Sequence, residues 1–208
     1  GIDSDGSGLA STILYLKKHS QDTADNLRFR PFPRNSGFAP QPTSFLQIEE
    51  FSRLVSDAVL SIDARSDLVE NKNRTFVRLS VGGREAELPI SLISDGTAKW
   101  FALIAAIVTS DTAFCIEEPE NFIHPKLQEE IVRIARALSE NSENERFALM
   151  TTHSQTLLNA LYPEEVIVTS SDGDGTTCKR PTNASKLDEM INKTGFGLGY
   201  FYLTGSVE

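Results

Sequence analysis

The chain has 208 residues, 39% of them hydrophobic and 24% charged, with a formal net charge of −9. That length and balance allow one large or two small globular domains with a sizeable core. The negative charge argues against a broad phosphate-binding surface, and the apolar run ending at Val108 is far too short to span a bilayer. No charged-then-apolar leader opens the sequence, and Cys115 and Cys178 share no metal spacing. Cys115 lies inside an apolar run and is expected to be a small core residue. Together these features predict a reducing, cytoplasmic setting and no membrane partner.

In chain order, Ser7 to Lys18 reads as a helix with Leu9, Ile13 and Leu16 on one face and Ser7 as its cap. Arg30 to Thr43 carries four prolines and is expected to be an irregular connection. Ile48 to Asp57 predicts a short helix with Ile48, Phe51, Leu54 and Val55 inward, followed by a strand over Val59 to Arg65. Thr75 to Val81 and Glu85 to Ile90 predict two strands joined at Gly82-Gly83, a strong hairpin signal.

The pattern then changes. Thr97 to Val108 predicts a buried helix, Ala113 to Glu117 a short strand, and Pro125 to Leu138 an amphipathic helix with proline at its first position. Phe147 to Thr151 reads as a buried strand and Ser154 as the cap of a short helix. Val166 to Thr169 is expected to be a strand turned back by Asp172-Gly173-Asp174-Gly175. This alternation predicts an α/β fold with a parallel sheet flanked by helices. The expected organisation is a mixed α+β lobe over residues 1–89 and an α/β lobe over residues 90–208.

Three stretches carry candidate chemistry. In Phe114-Cys115-Ile116-Glu117-Glu118-Pro119-Glu120-Asn121 an apolar strand ends in two adjacent acids. In parallel sheets ligands sit at the carboxyl ends of strands. One acid there can hold Mg²⁺ while its neighbour polarises a water. By itself the pair fits a solvated acidic turn equally well.

In Leu92-Ile93-Ser94-Asp95-Gly96-Thr97, Ser94 can cap the following helix and Gly96 lets a ligand approach the backbone. An ordinary capped turn has the same pattern. In Leu149-Met150-Thr151-Thr152-His153-Ser154 a second strand ends at a histidine, a residue that at such a place is more often structural. The run Asp172 to Gly175 opens like a calcium loop but has no glutamate at the required spacing. No Gly-x-Ser-x-Gly accompanies Ser94 and His153, which sets aside a hydrolase triad.

The order of these stretches resembles the C-terminal part of ABC-type ATPases. The resemblance narrows to the stand-alone AAA-type ATPases near the OLD and RecF/SMC-like branches of P-loop NTPases. It rests on Ser94-Asp95-Gly96-Thr97, on Ile116-Glu117-Glu118-Pro119-Glu120-Asn121 with His124-Pro125, and on the ending Gly197-Leu198-Gly199-Tyr200-Phe201-Tyr202-Leu203-Thr204-Gly205.

The resemblance implies ATP and Mg²⁺ as ligands. Ser94, Asp95, Gly96 and Thr97 match the signature loop that contacts nucleotide held by the opposite subunit. Glu117 matches the metal-side acid of Walker B, where the family mostly has aspartate. Glu118 matches the general base, His153 the switch histidine, and Pro119 to His124 the D-loop facing the partner. It further implies a homodimer closed through an ATP sandwich, and an effector such as a nuclease or toxin in anti-phage defence or DNA transactions. No Gly-x-x-x-x-Gly-Lys-Ser/Thr loop occurs in the sequence. The Walker A lobe is therefore expected upstream, with the chain alone inactive. A non-catalytic interaction module is the alternative.

Overall fold

Gly82 and Gly83 both take positive φ, 58° and 76°, the conformation a tight two-residue hairpin turn demands. They join β2 (Lys72–Val81) to β3 (Arg84–Pro89), and β2 also pairs antiparallel with β1 (Val59–Asp67), giving the order β1-β2-β3. The computed structural model describes residues 8–17, 44–67, 70–110, 113–140, 146–171 and 173–207. The Ser7 cap, the proline-rich connection and Asp172 lie outside the described residues. The chain divides into two compact units, Gly1–Phe114 and Cys115–Glu208.

In the first unit the meander is accompanied by α1 (residues 9–17), α2 (Ser44–Ser52) with a 3₁₀ turn at Arg53–Val55, and α3 (Asp95–Thr109). Leu9, Ile13, Ile48, Ile62 and Val77 are buried. Leu54, expected inward, is exposed because the helix tightens into the 3₁₀ turn before reaching it. Trp100, Phe101, Leu103, Ile104, Ala105, Ile107 and Val108 are buried along α3. A helix apolar nearly all round belongs in a core. Trp100 satisfies its indole N–H on the Phe51 carbonyl at 2.9 Å, tying α3 to α2. Lys17 of α1 reaches Asp63 of β1 at 2.6 Å.

The second unit is built on a strand–helix–strand run: β4 (Ala113–Glu117, within which the division falls, after Phe114), α4 (Pro125–Glu140) and β5 (Phe147–Thr151). β4 and β5 pair, and Glu118 N–H donates to the Thr151 carbonyl at 3.0 Å. Both strands therefore end at the same edge, the parallel arrangement that a helical crossover produces. Leu127, Ile131, Val132, Ile134 and Ala135 form the buried stripe of α4.

Cys115 corrects the sequence expectation: it is exposed, on the same face as Phe147 and Leu149, which are 59% and 51% exposed. Alternation along the strands buries Phe114 on the other face and leaves Ile116, Ala148 and Met150 half-buried. β6 (Val168–Ser171) does not extend the parallel pair; it folds back antiparallel on β7 (Thr176–Lys179), as the turn at 172–175 predicts.

The described residues of this unit also form α5 (Gln155–Asn159), α6 (Ala184–Thr194), α7 (Leu198–Leu203) and a 3₁₀ turn at Pro163–Glu165. Leu158, Val166, Leu187, Leu198, Phe201 and Val207 form their common core. α7 lies so close to α5 that a Cβ on Gly199 would stand 2.7 Å from the Gln155 Cα and carbonyl oxygen. The Gly199 N–H donates to Asn159 Oδ1 at 2.8 Å. Among the described residues no helix is long and apolar enough to cross a membrane.

Candidate functional site

Glu117 is the last residue of β4 and is exposed at the strand's carboxyl end. Glu118 follows with φ +43°, a left-handed conformation uncommon for a residue with a side chain. Its N–H donates to both the Thr151 carbonyl (3.0 Å) and Thr151 Oγ1 (3.2 Å). Its carboxylate Oε2 accepts from Asn121 Nδ2 at 2.8 Å.

The turn that follows is doubly closed, by Asn121 N–H to the Glu118 carbonyl (3.2 Å) and Ile123 N–H to the Glu120 carbonyl (3.0 Å). Pro119 is fully buried inside it. Phe122, at φ +65°, stands 81% exposed at its outer side. His124 then caps α4: its Nδ1 accepts from Lys126 N–H at 3.2 Å, and its carbonyl accepts from Leu127 and Gln128 N–H.

A second loop, Thr152–Ser154, leaves the neighbouring end of β5. His153 is exposed, and its backbone N–H donates to Glu120 Oε1 at 3.0 Å. Thr152 Oγ1 donates to the same carboxylate oxygen at 2.7 Å and accepts from Ser154 N–H at 2.9 Å. Ser154 caps α5 by accepting from Leu157 N–H, and its hydroxyl donates to Gln128 Oε1 at 2.6 Å. Gln128 in turn donates to the Ile123 carbonyl at 2.9 Å. Thus two side chains, Glu120 and Gln128, cross-link the loop after the double acid to the loop that carries His153.

The Ser94–Thr97 loop belongs to the other compact unit. Ser94 Oγ accepts from Thr97 N–H at 3.4 Å and donates to Thr97 Oγ1 at 2.9 Å, capping the 15-residue helix α3. Asp95 occupies its first turn, where a carboxylate complements the helix dipole. Ser94 and Asp95 are exposed, Gly96 and Thr97 half-buried.

Glu117, Glu118 and His153 are thus gathered at one sheet edge, on strands whose ends are hydrogen-bonded together. Among the described residues no three His, Cys, Asp or Glu side chains cluster as a metal cage. Mg²⁺ leans on one or two carboxylates and on substrate phosphate oxygens, so the exposed acid at the end of β4 suits that ion. The sequence alone places Glu120 and Asn121 only within the Pro119–His124 segment matched to the D-loop, and gives Gln128 no role. Gln128 did carry a signal: it is a polar side chain on the apolar stripe of α4, next to Leu127 and in line with Ile131.

No curated protein matches this chain. Among solved structures it resembles an SMC ATPase described in work on ATP-driven dimerization and DNA-stimulated activation, with 10% identity and a TM-score of 0.51. That likeness covers 73% of this chain and 90% of the other. It also resembles an Smc head bound to the C-terminal winged-helix domain of ScpA, with 11% identity and a TM-score of 0.50, over 68% of this chain and 43% of the other. At such identities the likeness speaks for the fold, that of a P-loop NTPase. Residues 5–159 match the family described as "AAA domain, putative AbiEii toxin, Type IV TA system". Since that match takes in well over half of the sequence, the chain belongs to this AAA-domain family of P-loop ATPases.

Proposed function

We propose that this chain supplies the hydrolytic edge of an ATPase that works as a homodimer, with ATP sandwiched between subunits. The observation that carries the reading is the bonded junction at the ends of β4 and β5. It holds an acid pair and a histidine on two loops cross-linked by Glu120 and Gln128. Phosphoryl transfer asks the protein mainly for positioning and for stabilising charge, and a rigid junction of this kind meets that demand.

In this reading Glu118 orients the attacking water and accepts its proton. Asn121 keeps the carboxylate aimed by its 2.8 Å hydrogen bond. His153 contacts the γ-phosphate region. Glu117 holds Mg²⁺, which when bound neutralises phosphate charge. Ser94, Asp95, Gly96 and Thr97 at the start of α3 meet the nucleotide of the opposite subunit with backbone N–H groups. The grip on the β- and γ-phosphates comes from a Gly-Lys-Ser/Thr loop encoded outside this sequence. Closure of the dimer passes to an effector, a nuclease or toxin, in defence or on DNA.

The test is ATP hydrolysis by this chain and by the protein carrying it together with a Walker A loop, each with and without Glu118→Gln. Hydrolysis by the longer wild-type protein alone, with nucleotide still bound by its Glu118→Gln variant, is expected. A Glu118→Gln protein that hydrolyses at the wild-type rate sinks the role given to Glu118. No hydrolysis by either wild-type protein leaves the chain as an interaction module.

A further inference from the structure

The Glu120 carboxylate has its bonds on the other loop of this junction. One oxygen, Oε1, takes both the Thr152 hydroxyl at 2.7 Å and the His153 backbone N–H at 3.0 Å. The other, Oε2, is buried with no hydrogen-bond partner. An ionised carboxylate only accepts, so it can take two donors on a single oxygen. Thr152 is then fixed from both sides, since its hydroxyl also accepts from Ser154 N–H.

The Glu120 backbone belongs to the closed turn after Glu118, through the Ile123 N–H bond to its carbonyl. A shift of the turn that carries Asn121 and Phe122 therefore reaches the His153 N–H directly through the Glu120 side chain, beside the route through Gln128 to Ser154. Gln128 holds the next residue, Ser154, from α4. His153 is thus pinned by its own N–H to the turn, while its neighbour is pinned to the helix.

We propose that Glu120 is a positioning residue that sets the His153 backbone and couples hydrolysis to the state of the turn at Glu118–His124. The role rests on the ATPase reading above. It requires Glu120 to act through His153 and not as a general support of the fold. It also requires only Oε1: a glutamine keeps an acceptor there and puts its amide nitrogen where Oε2 makes no bond. Glu120→Gln should therefore preserve what Glu120→Ala destroys.

The experiment is a double-mutant cycle on the hydrolysing protein, with Glu120→Ala, His153→Ala and the pair, together with Glu120→Gln. Glu120→Ala should lower kcat by about tenfold to a hundredfold, the range expected when a reacting group is misplaced, with KM nearly unchanged. Glu120→Gln should restore most of that loss, and Glu120→Ala should cost nothing more once His153 is alanine. Losses that multiply across the pair, or a Glu120→Gln protein as slow as Glu120→Ala, overturn the proposal.

A second measurement needs no nucleotide. Hydrogen exchange of the His153 amide should speed by about tenfold or more in Glu120→Ala and stay slow in Glu120→Gln. An unchanged amide in Glu120→Ala also overturns it. Should Glu120→Ala fail to fold, Thr152→Val removes the companion donor and should loosen the same amide. If the wild-type protein hydrolyses no ATP, the parent reading fails, while the amide measurement still decides whether the clamp exists.

Discussion

Glu118 sits at φ +43° although it is not glycine, and that strain gives the structure its sharpest stability test. Placing an L-residue in the left-handed region costs about 1–2 kcal/mol, because Cβ crowds the following carbonyl. Glycine escapes that penalty, but its freer unfolded chain returns about 0.4–1 kcal/mol of the gain. Glu118→Ala and Glu118→Gly both delete the carboxylate that Asn121 Nδ2 holds at 2.8 Å, so that loss cancels between them. Both keep the N–H that donates to Thr151. What remains is the backbone difference, about 0–1.6 kcal/mol and centred near 0.8 kcal/mol, in favour of glycine.

At an ordinary extended or helical position the sign is opposite, with alanine the more stable. Urea unfolding of the two variants at one pH, compared by midpoint at equal slope, reads the difference directly. A Glu118→Ala protein more stable than Glu118→Gly, the order of an ordinary position, refutes the left-handed assignment. The idea that the turn stores strain at a functional acid would fall with it. The functional half of the test is that both variants lose hydrolysis, so glycine relieves strain without restoring activity.

Gly199→Ala should destabilise the chain by about 1–3 kcal/mol, the usual cost of overpacking. Its Cβ would meet Gln155 backbone at 2.7 Å and the two helices cannot both stay in place; an unchanged urea midpoint would show that α7 does not approach α5 so closely. Asp63 gives a pH-dependent effect. Burial pushes its carboxyl up, but hydrogen bonds from the Lys17 ammonium and the Ala64 N–H outweigh this and hold it below its ordinary value. A lowered folded-state value means stability that is complete above the unfolded carboxyl's range and lost as pH falls through the folded one. Asp63→Asn should therefore be less stable than wild type at pH 7, by about 1 kcal/mol or less given the partial exposure of the pair, with the gap closing below about pH 4. A gap that stays constant down to pH 2 would assign it to packing instead.

The parts of the fold legible in the sequence are those whose cause is local. Gly82-Gly83 announced the β2–β3 turn because only glycine takes two successive positive φ values freely. Ala113–Glu117 and Phe147–Thr151 fall on the expected residues because each is a short apolar run ended by polar groups. Ser94 and Ser154 cap α3 and α5 as their spacing predicts. What failed depended on tertiary context. Cys115 reads as core because both faces of β4 are apolar, the mark of a strand written for cover on both sides, yet one face is exposed. α6 and α7 were not anticipated, since Leu187, Leu198 and Phe201 find their partners only when Leu158 and Val166 are brought to them from earlier in the chain.

The site divides along the same line. The positions of the acids and the histidine at strand ends follow from the sequence, because each is a polar residue closing a short apolar run. The groups that hold them were hidden for two reasons. A left-handed glutamate leaves no trace in a sequence, because the residue that suits the conformation is glycine, which the proposed role of Glu118 would forbid. Glu120 and Gln128 act across gaps of 33 and 26 residues, to His153 N–H and Ser154 Oγ, and no local pattern encodes a bond of that span. Gln128 shows how such residues can still be found: a polar side chain on an otherwise apolar helix stripe must be satisfied when buried, so its presence predicts a partner even where the sequence cannot name it. Here the partners are the Ile123 carbonyl and the Ser154 hydroxyl, one on each loop of the junction. The crossover helix α4, which lies between the two strands in the chain, thus also braces both loops at their ends.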